Sequence, residues 1–155
     1  MIKIKNFKKG FTLIELLIVI AIIGVLATLL MANFVGVRQR ARDATRKSDL
    51  RQIQAALEIY RSDNNAYPPA ADGAPSDGQF SKTASCNTSL TGPTGSTSIY
   101  MKTVPCDPTG GSYTYSLDVD GNYAVTACLE NTNDSQKDPS TVPGCSAASF
   151  TVKNP

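Results

Sequence analysis

The sequence predicts an α+β protein: one long N-terminal α-helix, with a transmembrane half and an amphipathic half, packed on a small antiparallel β-sheet. Three observations carry this. Residues Phe11 to Met31 are almost entirely Leu, Ile, Val and Ala. No proline occurs between Phe11 and Ala66, and that stretch is rich in Ala, Leu, Arg, Gln and Glu, so helix signals run on unbroken. Beyond residue 110, two segments alternate apolar and polar side chains with the two-residue period of a strand.

Residues 1–10 form a short basic leader, with Lys3, Lys5, Lys8 and Lys9, no acid, and Gly10 at its end. The apolar run 11–31 follows, about 20 residues that at 1.5 Å each match a hydrocarbon core of about 30 Å. A secretory signal peptide would have an apolar region of about 7 to 15 residues and a small-residue cleavage site. This run is longer and contains Glu15. An acidic group in mid-membrane costs roughly 2.5 to 3.5 kcal/mol, so Glu15 needs a partner or a task.

The helix is expected from about Thr12 to about Asn64, about 80 Å at the standard rise. Asp63-Asn64-Asn65 and Tyr67-Pro68-Pro69 end it. On the stem, residues 32–64, Phe34, Val37, Ala41 and Ala44 share one side, and Leu50, Ile53, Leu57 and Tyr60 share nearly the opposite one. The upper stripe is expected to support the chain's own head, 65–155, and the lower to pack against other subunits.

Within the head, 68–98 is rich in Pro, Gly, Ser, Thr and Ala and reads as a long loop with little core material. A hairpin is expected over 112–129. Tyr113, Tyr115, Leu117 and Val119 line one face of its first strand, and Tyr123, Val125, Ala127 and Leu129 one face of its second. A two-residue Asp120-Gly121 loop would throw these rows onto opposite faces. The three-residue loop Asp120-Gly121-Asn122, pairing Val119 with Tyr123 and Leu117 with Val125, is therefore expected, with Asn122 left-handed. Phe150-Thr151-Val152 reads as a short last strand.

Cys86, Cys106, Cys128 and Cys145 all lie in the second half, with no CxxC pair and no histidine in the chain, which argues against zinc and for disulfides. Of the three pairings, the local ones, Cys86 with Cys106 and Cys128 with Cys145, are preferred. Basic residues flank the apolar run on both sides, so charge gives no clear orientation. The cysteines place the second half outside and the leader in the cytoplasm. The formal net charge of +2 is far from that of a nucleic-acid-binding domain. Arg38, Arg40, Arg42, Arg46, Lys47 and Arg51 are interrupted by Asp43 and Asp49 and read as a solvated or intersubunit ion-pair surface, with nucleic acid unlikely as a partner. The sequons at Asn87 and Asn133 mark exposed loops. No nucleophile with an evident base is present, so an enzyme is not expected.

The motif KKGFTLIELL, with its basic leader, Gly10, Phe11, Glu15 and the apolar run, resembles the class III signal of type IV prepilins and of their relatives, the pseudopilins of type II secretion. SDNNAYPP looks like the helix exit of those proteins, and YMKTVPCDPTGGSYTY resembles a segment of the major pseudopilin. The resemblance implies a pilin-like fold and a prepilin peptidase that recognises Lys8 and Lys9, cuts between Gly10 and Phe11 and methylates Phe11. It implies a cytoplasmic-membrane precursor with its head outside, and incorporation by an inner-membrane assembly platform into a helical homopolymer. The finished filament would be extracellular or periplasmic. Glu15 of one subunit would then neutralise the new amine of a neighbouring Phe11, which makes two buried charges tolerable as a pair. Many members have proline where Ala32 stands, so any loosening of this helix would rest on Gly24.

Some pseudopilins bind calcium near the hairpin, which makes Asp118 and Asp120 metal candidates. D-V-D-G-N lacks the other ligand positions of a calcium loop and is what a turn needs, so a turn is preferred and no cofactor is expected. The disulfides, the Ser/Thr-rich loop and the long region Glu130 to Pro155 favour a type IV pilus subunit. Asp107-Pro108 favours a secretion pseudopilin, the alternative. A membrane-anchored binding module is the reading from outside this class.

Overall fold

The computed structural model describes residues 10–71, 80–81, 86–93 and 95–155. The leader residues Lys8 and Lys9 lie outside them. One helix, α1, runs from Leu13 to Asn64. Seven strands follow: β1 (Ala70–Ala71), β2 (Phe80–Ser81), β3 (Leu90–Thr91), β4 (Ile99–Met101), β5 (Thr114–Leu117), β6 (Tyr123–Leu129) and β7 (Ala148–Lys153). The chain divides into two compact units, residues 1–38 and 39–155.

In the first unit the described residues from Leu13 onward are helix. Every described side chain from Leu13 to Met31 is exposed, as are Phe34 at 55% and Val37 at 59%. The helix ends where Asn65 takes a positive φ of 56°, a conformation asparagine tolerates better than most residues. Asn64 closes the last turn, its Nδ2 donating to the Tyr60 carbonyl at 2.8 Å and to the Tyr100 hydroxyl at 3.0 Å.

In the second unit the upper stripe does what its spacing predicts. Leu50, Ile53 and Leu57 are fully buried and Tyr60 nearly so, in one core with Tyr113, Tyr115, Tyr123, Val125, Ala127 and Val152. The sheet beneath them is antiparallel, in the order β5-β6-β7. Strand β6 is central, with Val125 paired to Tyr115 on one side and to Val152 on the other. The buried tyrosines keep their hydroxyls satisfied: Tyr115 donates to the Pro68 carbonyl at 2.7 Å and Tyr123 to Glu58 Oε1 at 3.0 Å.

Three expectations are corrected. Leu117 pairs with Tyr123 and Tyr115 with Val125, two residues away from the expected register, so the loop spans five residues, 118–122. A slip of two keeps the same faces together, so the core is unchanged, but Val119 leaves the sheet and is fully exposed. The cause is Asp118, whose Oδ1 accepts the amides of Asp120 at 3.0 Å and Asn122 at 2.8 Å and so ends the strand two residues early. The left-handed residue is Gly121, with φ 81°, rather than Asn122. Finally, 68–98 is more than a loop: β1 pairs with β2 in parallel and β3 pairs with β4, and Leu90 is buried in the core.

The division of the helix gives a contrast in stability. An Ile53→Ala variant should lose about 2 to 5 kcal/mol in chemical denaturation of the detergent-solubilised chain, whereas Val37→Ala, on the exposed face, should leave the head's transition unmoved.

Candidate assembly site

At the helix start, Gly10 and Phe11 are exposed. Thr12 and Glu15 form a reciprocal cap. The backbone amide and the hydroxyl of Thr12 each donate to Glu15 Oε2 at 2.8 Å, and the Glu15 amide donates to Thr12 Oγ1 at 3.3 Å. Two otherwise orphaned amides of the first turn are thereby satisfied. Sequence reasoning treated Glu15 only as a charge awaiting a partner and missed this role, although Thr12-x-x-Glu15 is the capping-box signature. Among the described residues Glu15 Oε1 accepts no hydrogen bond, so the cap holds the carboxylate in place with one oxygen still open to a cation.

Higher on the helix the basic run divides: Arg38, Arg40 and Arg51 are exposed, whereas Arg42, Arg46 and Lys47 are engaged by acids of their own chain, which corrects the expectation for those three. Arg46 is 3% exposed and sits among three carboxylates. Its Nε and Nη2 grip Asp107 at 2.6 and 2.9 Å, and its Nη1 donates to Asp43 at 2.7 Å and to Glu130 at 2.9 Å. Arg42 binds Glu130 through both Nε and Nη2. Asp43, itself buried, accepts the backbone amides of Glu130 at 3.0 Å and Asn131 at 2.8 Å. Beside this cluster Lys47 binds Asp134 at 2.8 Å, and Tyr113 donates to Asp49 at 2.6 Å. Among the described residues no buried side-chain polar atom lacks a partner.

This clasp joins α1 to the turn at Asp107 and to the start of the segment after β6. Two disulfides close neighbouring loops, Cys86–Cys106 just before that turn and Cys128–Cys145 around Glu130 and Asp134. The clasp was foreshadowed by spacing: Asp43, Arg46 and Asp49 continue the three- and four-residue steps of Leu50, Ile53, Leu57 and Tyr60. Charged residues at core positions are buried only when paired.

The cluster perturbs its own ionisation. Burial opposes the charge on Asp107, but hydrogen bonds from Arg46 and Thr109 outweigh it and hold the carboxyl at about 2. The bond from Arg42, against some desolvation and with help from Arg46, lowers Glu130 to about 2. Arg46 is raised, chiefly by its bond to Asp107. Asp134 is lowered, mainly by Lys47.

The calcium candidates are placed differently. Both Asp118 oxygens face donors of their own turn, including Asn122 Nδ2 at 3.1 Å on Oδ2, and Asp120 engages Asp118 through its backbone amide. Among the described residues no group of three or more His, Cys, Asp or Glu converges as a metal site. The Asp118 carboxylate, accepting from N–H donors of its own turn, acts as a turn-former.

Comparison with known proteins fixes the class. Residues 5–31 match the prokaryotic N-terminal methylation motif, and residues 33–139 match the family of type II secretion system protein G. The chain belongs to this family. It is a pilin-like subunit, structural rather than enzymatic, of the kind made as an inner-membrane precursor, processed by prepilin peptidase and assembled into a filament. It is 34% identical to the type II secretion system core protein G of Aeromonas hydrophila over 70% of this chain and 73% of that one. The core protein G of Escherichia coli K12 is also 34% identical, over 68% and 70%. The type IV wide pilus major component of Thermus thermophilus is 51% identical, over 38% of this chain and 45% of its own. These matches favour the secretion branch over the pilus branch that the cysteines and the long terminal region suggested. No solved structure matches the chain significantly.

The subunit's clasp should make it acid-labile. Asp107 and Glu130 have folded pKa values below their ordinary 3.8 and 4.5, so their stabilisation is complete above about pH 5 and is lost as pH falls toward about 2. The melting temperature should be flat from pH 7 to about 5 and drop below that. Arg46→Met should cost about 3 to 5 kcal/mol at pH 7, because it leaves buried carboxylates unpaired, and should flatten the acid limb.

Proposed function

We propose that the chain is a structural subunit of a type II secretion pseudopilus, drawn from the inner membrane into a homopolymer through its N-terminal helix. The observation that carries the reading is the match of residues 33–139 to protein G of that system, together with the helical segment Leu13–Met31, long and apolar enough to cross a membrane and exposed along its length. Apolar surface of that extent is not stable in water. Lipid covers it in the precursor and the same segments of other copies cover it in the filament. Prepilin peptidase cuts between Gly10 and Phe11 and methylates the new amine. The capped Glu15, with Oε1 unengaged among the described residues, neutralises that amine on an adjoining copy.

One observation favours a second reading, a type IV pilus: the greater local identity to the Thermus thermophilus pilus component, confined to 59 residues. Because that match covers under half of either chain, it supports a shared way of assembling better than a shared task.

Mass spectrometry of assembled material should find N-methyl-Phe11 as the first residue, and Glu15→Gln should be cleaved normally yet give several-fold fewer filaments. Deleting the gene should abolish export of folded proteins across the outer membrane while surface pili persist. Loss of pili with export intact would select the pilus reading, and Met1 retained on the mature protein would reject both.

A further inference from the structure

The head carries a shallow groove with a basic rim and, elsewhere, a projection with acidic side chains. The groove, about 480 Å³, lies between α1, which contributes Ala44, Lys47, Ser48, Arg51, Gln52 and Ala55, and Gln136 of the segment after β6. Its floor is made of the short side chains of Ala44, Ser48 and Ala55, all exposed. Arg51 stands on its rim, exposed, and forms no ion pair among the described residues. At 100° per residue these positions centre on roughly the opposite side of the helix from Leu50, Ile53 and Leu57, so the chain's own sheet does not cover them.

The projection is the apex of the β5–β6 hairpin. Val119 is 102% exposed there, an apolar side chain between two aspartates. The apex is ordered by its own bonds: Asp118 accepts the amides of Asp120 and Asn122, the Gly121 amide donates to the Asp118 carbonyl at 3.1 Å, and Asn154 donates to Asn122 at 2.8 Å. Little conformational freedom remains to be lost on docking. The Asp120 carboxylate makes no hydrogen bond or ion pair among the described residues.

We infer that the hairpin apex of one copy docks in the stem groove of a second copy, with Val119 over Ala44, Ser48 and Ala55 and Asp120 against Arg51. The apex adjoins Tyr123, which is tied to Glu58, whereas the groove centres about eight residues lower on α1. Two parallel copies joined this way are therefore staggered by roughly 10 to 15 Å along the helix. The two surfaces are different patches of one molecule, so the contact is head-to-tail and leaves a free groove and a free apex after each addition. Such an interface propagates instead of closing. The charge pair sets register and discriminates against wrong offsets more than it adds affinity.

This contact rests on the filament reading and is tested in the full-length chain. Its described cysteines are all in disulfides, so an Asp120→Cys, Arg51→Cys double variant introduces the only new thiols. Oxidation of its filaments should give a ladder of cross-linked multimers that neither single variant gives. Asp120→Lys and Arg51→Glu should each lower filament yield roughly tenfold with unchanged melting temperature, and their combination should restore it. Filaments of normal yield from both reversals, with no ladder from the cysteine pair, would overturn the contact and leave the filament reading standing. Failure of the unaltered chain to form filaments would overturn both.

Discussion

The governing constraint is apolar surface that the chain does not cover itself. Residues Leu13–Met31 are long and apolar enough to cross a membrane, and none of that window is buried within the protein. At about 25 cal/mol per Å² of exposed apolar area, such a segment has to exchange one non-aqueous environment for another. A helical form is required in either, because backbone groups have no water to bond to in lipid. Thr12 and Glu15 complete that economy at the first turn, where amides are otherwise unpaired.

A subunit held by its helix transmits nothing to its head unless the two are firmly joined. The join has two parts with different physics. Leu50, Ile53, Leu57 and Tyr60 supply non-directional burial against the sheet. Below them Arg42, Arg46 and Asp43 supply directional contacts to Asp107 and Glu130. A buried ion cluster adds little net stability over an apolar replacement, but its bidentate geometry fixes how the Asp107 turn and the segment after β6 meet the helix. The Cys86–Cys106 and Cys128–Cys145 bridges shorten the loops on which those carboxylates sit.

Much of this was legible from residue order. The helix bounds followed from the absence of proline and from the Asn64-Asn65 exit. The upper stripe announced the core by its spacing, and β6 and β7 by alternation or β-rich composition. What escaped depends on contacts between residues far apart in sequence or on side chains that capture backbone. Arg46 meets Glu130 across 84 positions and Asp107 across 61, and nothing local distinguishes those acids from solvated ones. The hairpin register turned on one carboxylate, Asp118, which competes with the ladder for two amides. Leu90 could not be placed because a lone leucine in a Ser- and Gly-rich stretch has no periodicity to read. The cap at Thr12 was visible in principle and was obscured by attention to the charge of Glu15.

The central claim is that one helix serves two sets of partners, its own head along Leu50 to Tyr60 and other copies along Leu13 to Met31. A high-resolution density map of the assembled polymer tests it most directly. The account predicts that Leu13–Met31 is enclosed by the same segment of other copies while Ile53 and Leu57 stay against their own β6. A polymer in which the apolar segments point away from one another, or in which the upper stripe leaves its own sheet, would contradict it.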